Sequence, residues 1–230
     1  ERLDFSCALL DVQGRLLVNA PHIPVHLGAM GLCVRECLKT HTFAPGDVLI
    51  SNHPGFGGSH LPDVTLISGL FDSEKRLMGF LANRAHHAEM GGKTPGSMPA
   101  DATTLEEEGV IISPRWLIRN GTDQFGQIEQ LLSESRHPSR AVRENRIDLE
   151  AQVASLRRGA DLFSSLLRDY SANVIGDYFE DLYKMGDEAL GEIMDGGQLR
   201  GGKASEELDD GNRIVVSIES KEGRLEIDFE

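Results

Sequence analysis

Two glycine-rich stretches of this sequence carry the side chains best suited to chemistry. The first covers 57–63 and places His60 and Asp63 three residues apart, with Pro62 between them. An imidazole and a carboxylate at this spacing can converge on one cation, and Pro62 stiffens the intervening backbone. The glycines let the main chain approach a ligand closely. We therefore regard His60 and Asp63 as candidate metal ligands.

The second stretch covers 84–92 and contains the neighbours His86 and His87, followed by Glu89. Successive side chains of a strand point to opposite faces, so at most one of these two histidines faces the same site as His60. A cluster of imidazoles with one or two carboxylates suits zinc, manganese or iron. We predict one divalent-metal site if the two stretches meet in the fold.

The segment between the two stretches gives a reason for them to meet. Residues 64–70 and 77–82 have the apolar character of β-strands, and 72–75 is typical of a hairpin turn. A hairpin brings the outer ends of its two strands together. Since the histidine stretches lie at those outer ends, we expect them to be neighbours in space.

Other interpretations of the same residues stay open at this stage. A lone loop histidine is more often a hydrogen-bonding cap than a ligand. His22 and His26 lie in a proline-containing run and either line the same cleft or belong to a loop ahead of a helix. Arg84 is expected to form a plain salt bridge, for example with Glu89, and the alternative partner is a substrate carboxylate.

Two familiar catalytic motifs are incomplete. The run Gly92-Lys93-Thr94 resembles the end of a phosphate-binding loop, but the first glycine of that motif falls on His87. The run around Ser59 resembles the elbow of a serine hydrolase, but its last position is Leu61 instead of glycine. We therefore expect neither ATP binding through such a loop nor a serine nucleophile.

The hydrophobic pattern predicts an α+β fold, in which mixed hairpins and loops form the metal site and long amphipathic helices and a C-terminal hairpin follow. Apolar positions from Leu149 to Leu167 step by three and four residues, as in an amphipathic helix. We divide the chain, as a fragment of a longer one, into a loop-rich α+β region over 1–140 and a helical region with the terminal hairpin over 141–230. The other predicted elements are a hairpin over 6–19, helices over 28–39, 125–132 and 178–193, strands over 47–51 and 109–112, and a hairpin of 214–218 and 225–229 that turns at Glu222-Gly223.

Composition narrows the class of protein. The chain has 37 acidic and 23 basic residues and a net charge of −14, which disfavours binding to nucleic acid. No apolar run approaches the roughly 20 residues that cross a bilayer, so we expect no membrane partner. The cysteines, Cys7, Cys33 and Cys37, form no CxxC pair. We expect them to be buried and reduced in a cytoplasmic protein.

Six short motifs follow one another over roughly the first two-thirds of the chain. They are 4–9, 21–28, 57–64, 83–92, 96–100 and 148–152. Together these motifs resemble the hydantoinase B/oxoprolinase family. The last third of the chain is similar to that family only in general character.

The resemblance implies a specific set of site residues. The implied metal ligands are Asp4, His60, Asp63 and His86. Asp4 comes from the resemblance alone, and zinc or manganese is the favoured ion. His87 is expected nearby but turned away from the metal. The group that moves a proton is expected among His87, Glu89 and His22, since histidine titrates near neutral pH.

The resemblance also implies a function. The favoured one is a metal-dependent subunit of an ATP-dependent cyclic amidohydrolase that opens a small hydantoin, 5-oxoproline or lactam ring. A hydantoinase A-like subunit or domain, assembled with this chain into a hetero-oligomer, would bind ATP and phosphorylate the amide oxygen. The metal would polarise the activated carbon or lower the pKa of a bound water. The alternatives are a subunit of an ATP-dependent carboxylase of ketones such as acetone or acetophenone, and a non-catalytic assembly module.

Overall fold

The computed structural model describes residues 4–21, 23–196, 201–221 and 224–229, and these confirm the predicted α+β class. The strands are β1 (Phe5–Leu10), β2 (Leu16–Ala20), β3 (Val48–Ser51), β4 (Asp63–Phe71), β5 (Leu77–His86), β6 (Arg115–Arg119), β7 (Thr122–Asp123), β8 (Gly202–Glu207), β9 (Arg213–Lys221) and β10 (Arg224–Phe229). The helices are α1 (Pro24–Leu38), α2 (Leu105–Glu108), α3 (Phe125–Glu134), α4 (Val142–Asp169) and α5 (Ala172–Asp195). A single 3₁₀ turn covers Pro54–Phe56.

Strands β1 to β7 form one antiparallel sheet in the order β2-β1-β5-β4-β3-β6-β7. Alternate side chains of β3 and β4 enter two different cores, as the strand period of two requires. Val48 and Ile50 pack with α3 and α4, whereas Leu49 packs with α1. The sheet is therefore covered on both faces, which explains why β3 is apolar at almost every position.

Helix α1 begins four residues earlier than the sequence suggested. Proline is favoured in the first turn of a helix, and here Pro24 occupies that position. His26 consequently belongs to the helix and not to a loop ahead of it, and it is buried against the sheet. The same helix buries Cys33 and Cys37 as expected, but Cys7 is exposed, contrary to expectation, because it lies on an outward-facing position of β1.

The predicted strand over 109–112 is wrong. This segment forms no ladder, and several of its backbone groups bond instead to Met90, Ser51 and Asn52. Asn52 Nδ2 donates to the Val110 carbonyl at 2.9 Å, and the Ile112 N–H donates to Asn52 Oδ1 at 2.6 Å. The next strand along the chain is β6, which pairs with β3 on the edge opposite to β4 and which the sequence pattern did not predict.

The chain folds into two compact units, Glu1–Gly176 and Asp177–Glu230. Helix α4 packs on β4 and β5 within the first unit. The proposed division at residue 140 stays a prediction, drawn from a change in composition. In the second unit, β9 lies between β8 and β10, and Ile218 pairs with Ile227 across the predicted hairpin.

The predicted turn at Glu222-Gly223 lies outside the described residues. Strand β8 was not predicted, because its side chains are exposed throughout and show no apolar alternation. Among the helices in the described part of the chain, none combines the length and the apolar character needed to cross a bilayer.

Candidate metal centre

The β4–β5 hairpin brings the two histidine stretches together, as predicted. Strand β4 begins at Asp63 and β5 ends at His86, and these two residues face each other in the ladder. His60 precedes β4 by one tight turn, which is closed by a hydrogen bond from the Asp63 N–H to the His60 carbonyl at 3.0 Å. The expected neighbourhood of the two stretches therefore follows directly from strand pairing.

Three side chains converge at this end of the hairpin. His60 Nε2 lies 2.9 Å from Asp63 Oδ1, and His86 Nδ1 lies 3.4 Å from the same oxygen. The two imidazole nitrogens are 3.3 Å apart. Each residue of this triad, His60, Asp63 and His86, offers a ligand atom, and these atoms all lie within 4.8 Å of one another. Such a spacing suits coordination of one cation by all three groups.

Asp4 lies at the rim of the triad. Its carboxylate oxygens are 3.9 Å from His86 Nδ1 and 3.9 Å from His26 Nε2, and its side chain is 46% exposed. The backbone holds it in place, since the His86 N–H donates to the Asp4 carbonyl at 3.0 Å. Asp4 is thus near enough to join the triad after a small movement, although it does not belong to the tight cluster.

His26 reaches the same cluster from helix α1. Its Nε2 lies 3.4 Å from Asp63 Oδ2, and its Nδ1 lies 2.9 Å from the hydroxyl of Ser6. Ser6 also donates to the Pro21 carbonyl at 3.3 Å, which fixes the hydroxyl between strand and loop. The sequence left His26 either lining the cleft or in a loop ahead of the helix. The signal for its depth was Pro24, which starts the helix early enough to turn His26 inward.

Two atoms of this cluster are buried without a hydrogen bond among the described residues. They are His26 Nε2 and Asp63 Oδ1. The His60–Asp63 contact is short but lacks hydrogen-bond geometry, so the imidazole and the carboxylate approach each other without satisfying the oxygen. Buried polar atoms are rarely left unpaired, because the loss of hydration then has no compensation. The donor set and its unsatisfied atoms both fit a divalent cation.

The electrostatics of the cluster favour a charged carboxylate. Burial alone would raise the pKa of Asp63, but the imidazoles of His60, His86 and His26 hold it well below its usual range. Contact with Asp63 raises the pKa of His60. Burial lowers the pKa of His26, which favours the neutral imidazole that a metal requires.

A cavity of about 530 Å³ opens onto the triad. Its lining is polar at the floor and apolar at the rim, where Val25 and Met98 are exposed. The lining residues are Asp4, Val25, His26, Ser59, His60, Asp63, His86 and Met98. The volume is in the range of pockets that hold small organic molecules.

His87 lies on the opposite face of β5, as expected for the residue after His86. Its Nε2 is 3.0 Å from Gln152 Oε1, and its Nδ1 is 3.3 Å from Asn145 Nδ2. Because Asn145 Nδ2 is a donor and Gln152 Oε1 an acceptor, the neutral tautomer with a proton on Nε2 satisfies both contacts. Burial lowers the pKa of His87, in agreement with a neutral ring. These contacts place His87 away from the cavity.

Glu89, another candidate for proton transfer, is not brought to the triad. Glu89 accepts hydrogen bonds from the Gly91 and Gly96 N–H groups at 2.8 Å each, and it pairs with Arg140 at 3.0 Å. Its carboxylate therefore organises its own loop. His22 lies outside the described residues.

The loop glycines have a packing role that the sequence did not indicate. Gly57 has φ +76°, and a Cβ atom there would lie 2.5 Å from the backbone nitrogen of Cys33 in α1. Only glycine permits this conformation and approach. The close approach is between loop and helix, and it fixes the position of the residues that follow, Ser59 and His60.

Comparisons with known proteins agree with the resemblance seen in the sequence. The family model described as "Hydantoinase B/oxoprolinase" matches residues 1–230. The 5-oxoprolinase of Saccharomyces cerevisiae is 39% identical over 230 residues, which cover 95% of this chain and 18% of the yeast protein. This chain thus spans less than a fifth of the length of that relative.

Two solved structures have the same fold. The ATP-dependent caprolactamase from Pseudomonas jessenii matches with a TM-score of 0.84 and 24% identity, over 99% of this chain and 40% of the caprolactamase chain. The nucleotide-free structure of an acetone carboxylase matches with a TM-score of 0.83 and 16% identity, over 99% of this chain and 32% of that chain. Both solved chains are thus considerably longer than the present one.

Proposed function

Because the chain belongs to the hydantoinase B/oxoprolinase family, we propose that it is the metal-dependent part of an ATP-dependent enzyme that opens a small cyclic amide. The substrate class is a lactam, 5-oxoproline or hydantoin. The 39% identity to a 5-oxoprolinase over almost the whole chain supports this choice over other reactions.

The observation that carries the proposal is the triad with its unsatisfied atoms. Three potential ligands meet at the floor of a cavity, and a buried carboxylate oxygen and a buried imidazole nitrogen have no hydrogen bond among the described residues. A site built only for stability would satisfy these atoms, as the opposite face of β5 does. A bound cation would satisfy both and would face the cavity.

Each residue of the cluster would have a separate role at the ion. His60, Asp63 and His86 would hold the ion, and Asp4 or His26 would complete its coordination. A divalent ion there would supply a Lewis acid that polarises the substrate carbon and acidifies water. Ser6 would orient His26 through its Nδ1 contact, and the 530 Å³ cavity would receive the ring.

Another domain or subunit of the full protein would have to bind ATP. The chain covers 18% of its yeast relative and lacks a complete phosphate-binding loop, so we assign nucleotide binding to a hydantoinase A-like domain or subunit. The ion itself would be zinc or manganese, which imidazole and carboxylate ligands both suit.

The test uses the full protein with its ATP-binding partner, and 5-oxoproline, caprolactam and hydantoin as substrates. We expect ATP-dependent formation of the ring-opened product by wild type, and loss of that activity together with bound metal in His60→Ala. His137→Ala, a histidine outside the cluster, should behave like wild type. A His60→Ala protein that retains full activity would leave the assembly-module alternative standing and contradict the proposal.

A second candidate reaction is ATP-dependent carboxylation of a ketone. The fold match to acetone carboxylase, over 99% of this chain, favours keeping this candidate. The same triad and cavity would serve it. ATP turnover that requires bicarbonate and acetone, without ring opening of any cyclic amide, would select carboxylation over hydrolysis.

A further inference from the structure

Arg84 is a buried cation without a carboxylate partner among the residues that the structure describes. Its side chain is fully buried, and it lies two residues before His86 on β5. The guanidinium donates from Nε to Thr65 Oγ1 at 2.8 Å, from Nη1 to Ser59 Oγ at 2.9 Å and from Nη2 to the Gly57 carbonyl at 2.8 Å. The expected salt bridge to Glu89 is wrong, because Glu89 pairs with Arg140.

The contact with Arg84 determines whether the hydroxyl of Ser59 acts as a hydrogen-bond donor or acceptor toward a ligand. Ser59 Oγ accepts from Arg84, and its own proton has no acceptor within the described ranges. Ser59 also lines the cavity beside its chain neighbour His60. A hydroxyl that accepts from a cation is a stronger donor, because hydrogen bonds in a chain polarise one another. The free proton of Ser59 is therefore available to a ligand in the cavity.

The positive charge of Arg84 also acts on the rest of the site. Burial lowers the pKa of His26, and the charge of Arg84 lowers it further. A buried cation without a carboxylate partner among the described residues costs free energy. The positive charge of Arg84 stabilises negative charge that develops nearby. Arg84 is therefore suited to an anionic state of a substrate.

We propose that Ser59 donates a hydrogen bond to the water-derived oxygen on which negative charge accumulates at the reacting carbon, since the amide oxygen itself would be bonded to phosphate, and that Arg84 positions and polarises Ser59 for this role. This inference rests on the proposed function and extends it to the recognition of the oxyanion. Ser59 keeps its proton throughout and forms no covalent bond. A nucleophilic serine requires a neighbouring base that accepts its proton, and no group among the described residues accepts the proton of Ser59.

The test compares Ser59→Ala, Ser59→Thr and Thr65→Val in the full protein with its partner. Thr65→Val is the matched control, since it removes the other hydroxyl that accepts from Arg84 but does not line the cavity. We expect Ser59→Ala to lower kcat by about 100-fold with KM and bound metal near wild type, as for the loss of an oxyanion donor. Ser59→Thr should recover most of kcat, and Thr65→Val should lose at most about fivefold.

A double-mutant cycle separates polarisation from plain packing. If Arg84 acts through Ser59, Arg84→Lys should lower kcat much less in the Ser59→Ala background than in wild type. Equal losses in both backgrounds would overturn the positioning role of Arg84. If Arg84→Lys does not fold, the Ser59 variants still decide whether Ser59 is the donor.

Binding of acetate gives a readout that does not depend on turnover. We expect the dissociation constant of ¹³C-acetate for the zinc-loaded protein, measured by NMR titration, to rise about tenfold in Ser59→Ala. A kcat within about fivefold of wild type, a loss of bound metal in Ser59→Ala, or unchanged acetate affinity would each overturn the proposal. A wild type that binds acetate but opens no ring would contradict the proposed function alone, and the acetate titration would still decide the role of Ser59.

Discussion

His86 and His87 are neighbours in the chain, but they lie in opposite kinds of environment. On the His86 face, imidazoles and carboxylates crowd together, and two buried atoms lack hydrogen bonds among the described residues. On the His87 face, each ring nitrogen has a partner, and Gln152 also donates to the Val64 carbonyl at 3.0 Å and to Asn83 Oδ1 at 3.1 Å. The contrast occurs between the two sides of one strand.

Hydrogen-bond satisfaction distinguishes a ligand site from a polar core in this strand pair. Both faces contain buried histidine, so residue type alone does not separate them. Satisfied donors and acceptors indicate a scaffold, because such a network is stable without anything added. Unsatisfied atoms that face a cavity indicate a place for a ligand. We therefore propose metal binding on the His86 face and a positioning role on the His87 face.

The largest expected effect is on the metal. Removing an imidazole of the triad by His60→Ala or His86→Ala should weaken binding of Zn²⁺ or Mn²⁺ by more than about 100-fold, which exceeds the usual effect of residues that only support a ligand. Titration of the apoprotein with a competing chelator measures this change. The control His137→Ala should keep wild-type affinity. Unchanged affinity in both triad variants would remove the distinction between the faces.

The His87→Ala substitution should instead affect stability. It removes the 3.0 Å partner of Gln152 Oε1 and one contact of Asn145 Nδ2, and it opens a small cavity, so the free energy of unfolding should fall by about 3 kcal/mol. Urea unfolding measures this value. The folded variant should still bind one metal ion with near wild-type affinity. Loss of metal without loss of stability would place His87 in the metal site and contradict its role in the scaffold.

The Glu89→Gln substitution should cost about 2 kcal/mol at pH 7, since a charged acceptor of two backbone N–H groups and Arg140 is lost. Burial alone would raise the pKa of Glu89, but the hydrogen bonds from Gly96, Gly91 and Arg140 lower it. The carboxylate thus adds stability above its ordinary pKa of about 4.5, and this is lost as the pH falls through the lower folded-state value.

Urea unfolding from pH 7 to pH 2 tests this dependence for Glu89→Gln. The difference in stability between wild type and variant should shrink as the pH falls, and the exposed-site control Glu188→Gln should show no such convergence. A constant difference across the range would mean that the charge of Glu89 does not stabilise the loop.

The smallest expected effect comes from Ser6→Ala. This change removes the 2.9 Å contact that orients His26, so metal affinity should fall by about tenfold while the fold is kept. The control Ser68→Ala removes a hydroxyl that bonds the Asp47 carbonyl, far from the triad in the fold, and should leave affinity unchanged. An equal effect of both variants would argue against a role for His26.

Much of this centre could be predicted from sequence because it is local. Alternation and a turn predicted the β4–β5 hairpin, and the hairpin alone brought His60 and Asp63 beside His86. The opposite orientation of His87 followed from the strand period. Asp4 was found only through resemblance, since no local pattern connects β1 to β5.

The remaining features depend on packing between distant elements. The depth of His26 depends on how α1 lies against the sheet, and the role of Ser59 depends on a guanidinium from β5. Residues 109–112 have the composition of a strand, but the side chain of Asn52 takes two of their backbone hydrogen bonds. Sequence patterns indicate the local preference for helix or strand. The final structure of such a segment also depends on whether a side chain or a neighbouring strand forms the hydrogen bonds with its backbone.

Anomalous diffraction from crystals grown with Zn²⁺ tests whether the triad holds one divalent ion. A single strong peak is expected about 2.0–2.2 Å from His60 Nε2, an Asp63 oxygen and His86 Nδ1. Crystals soaked in zinc that show no peak there, with the two imidazoles hydrogen-bonded to water instead, would contradict metal binding by the triad.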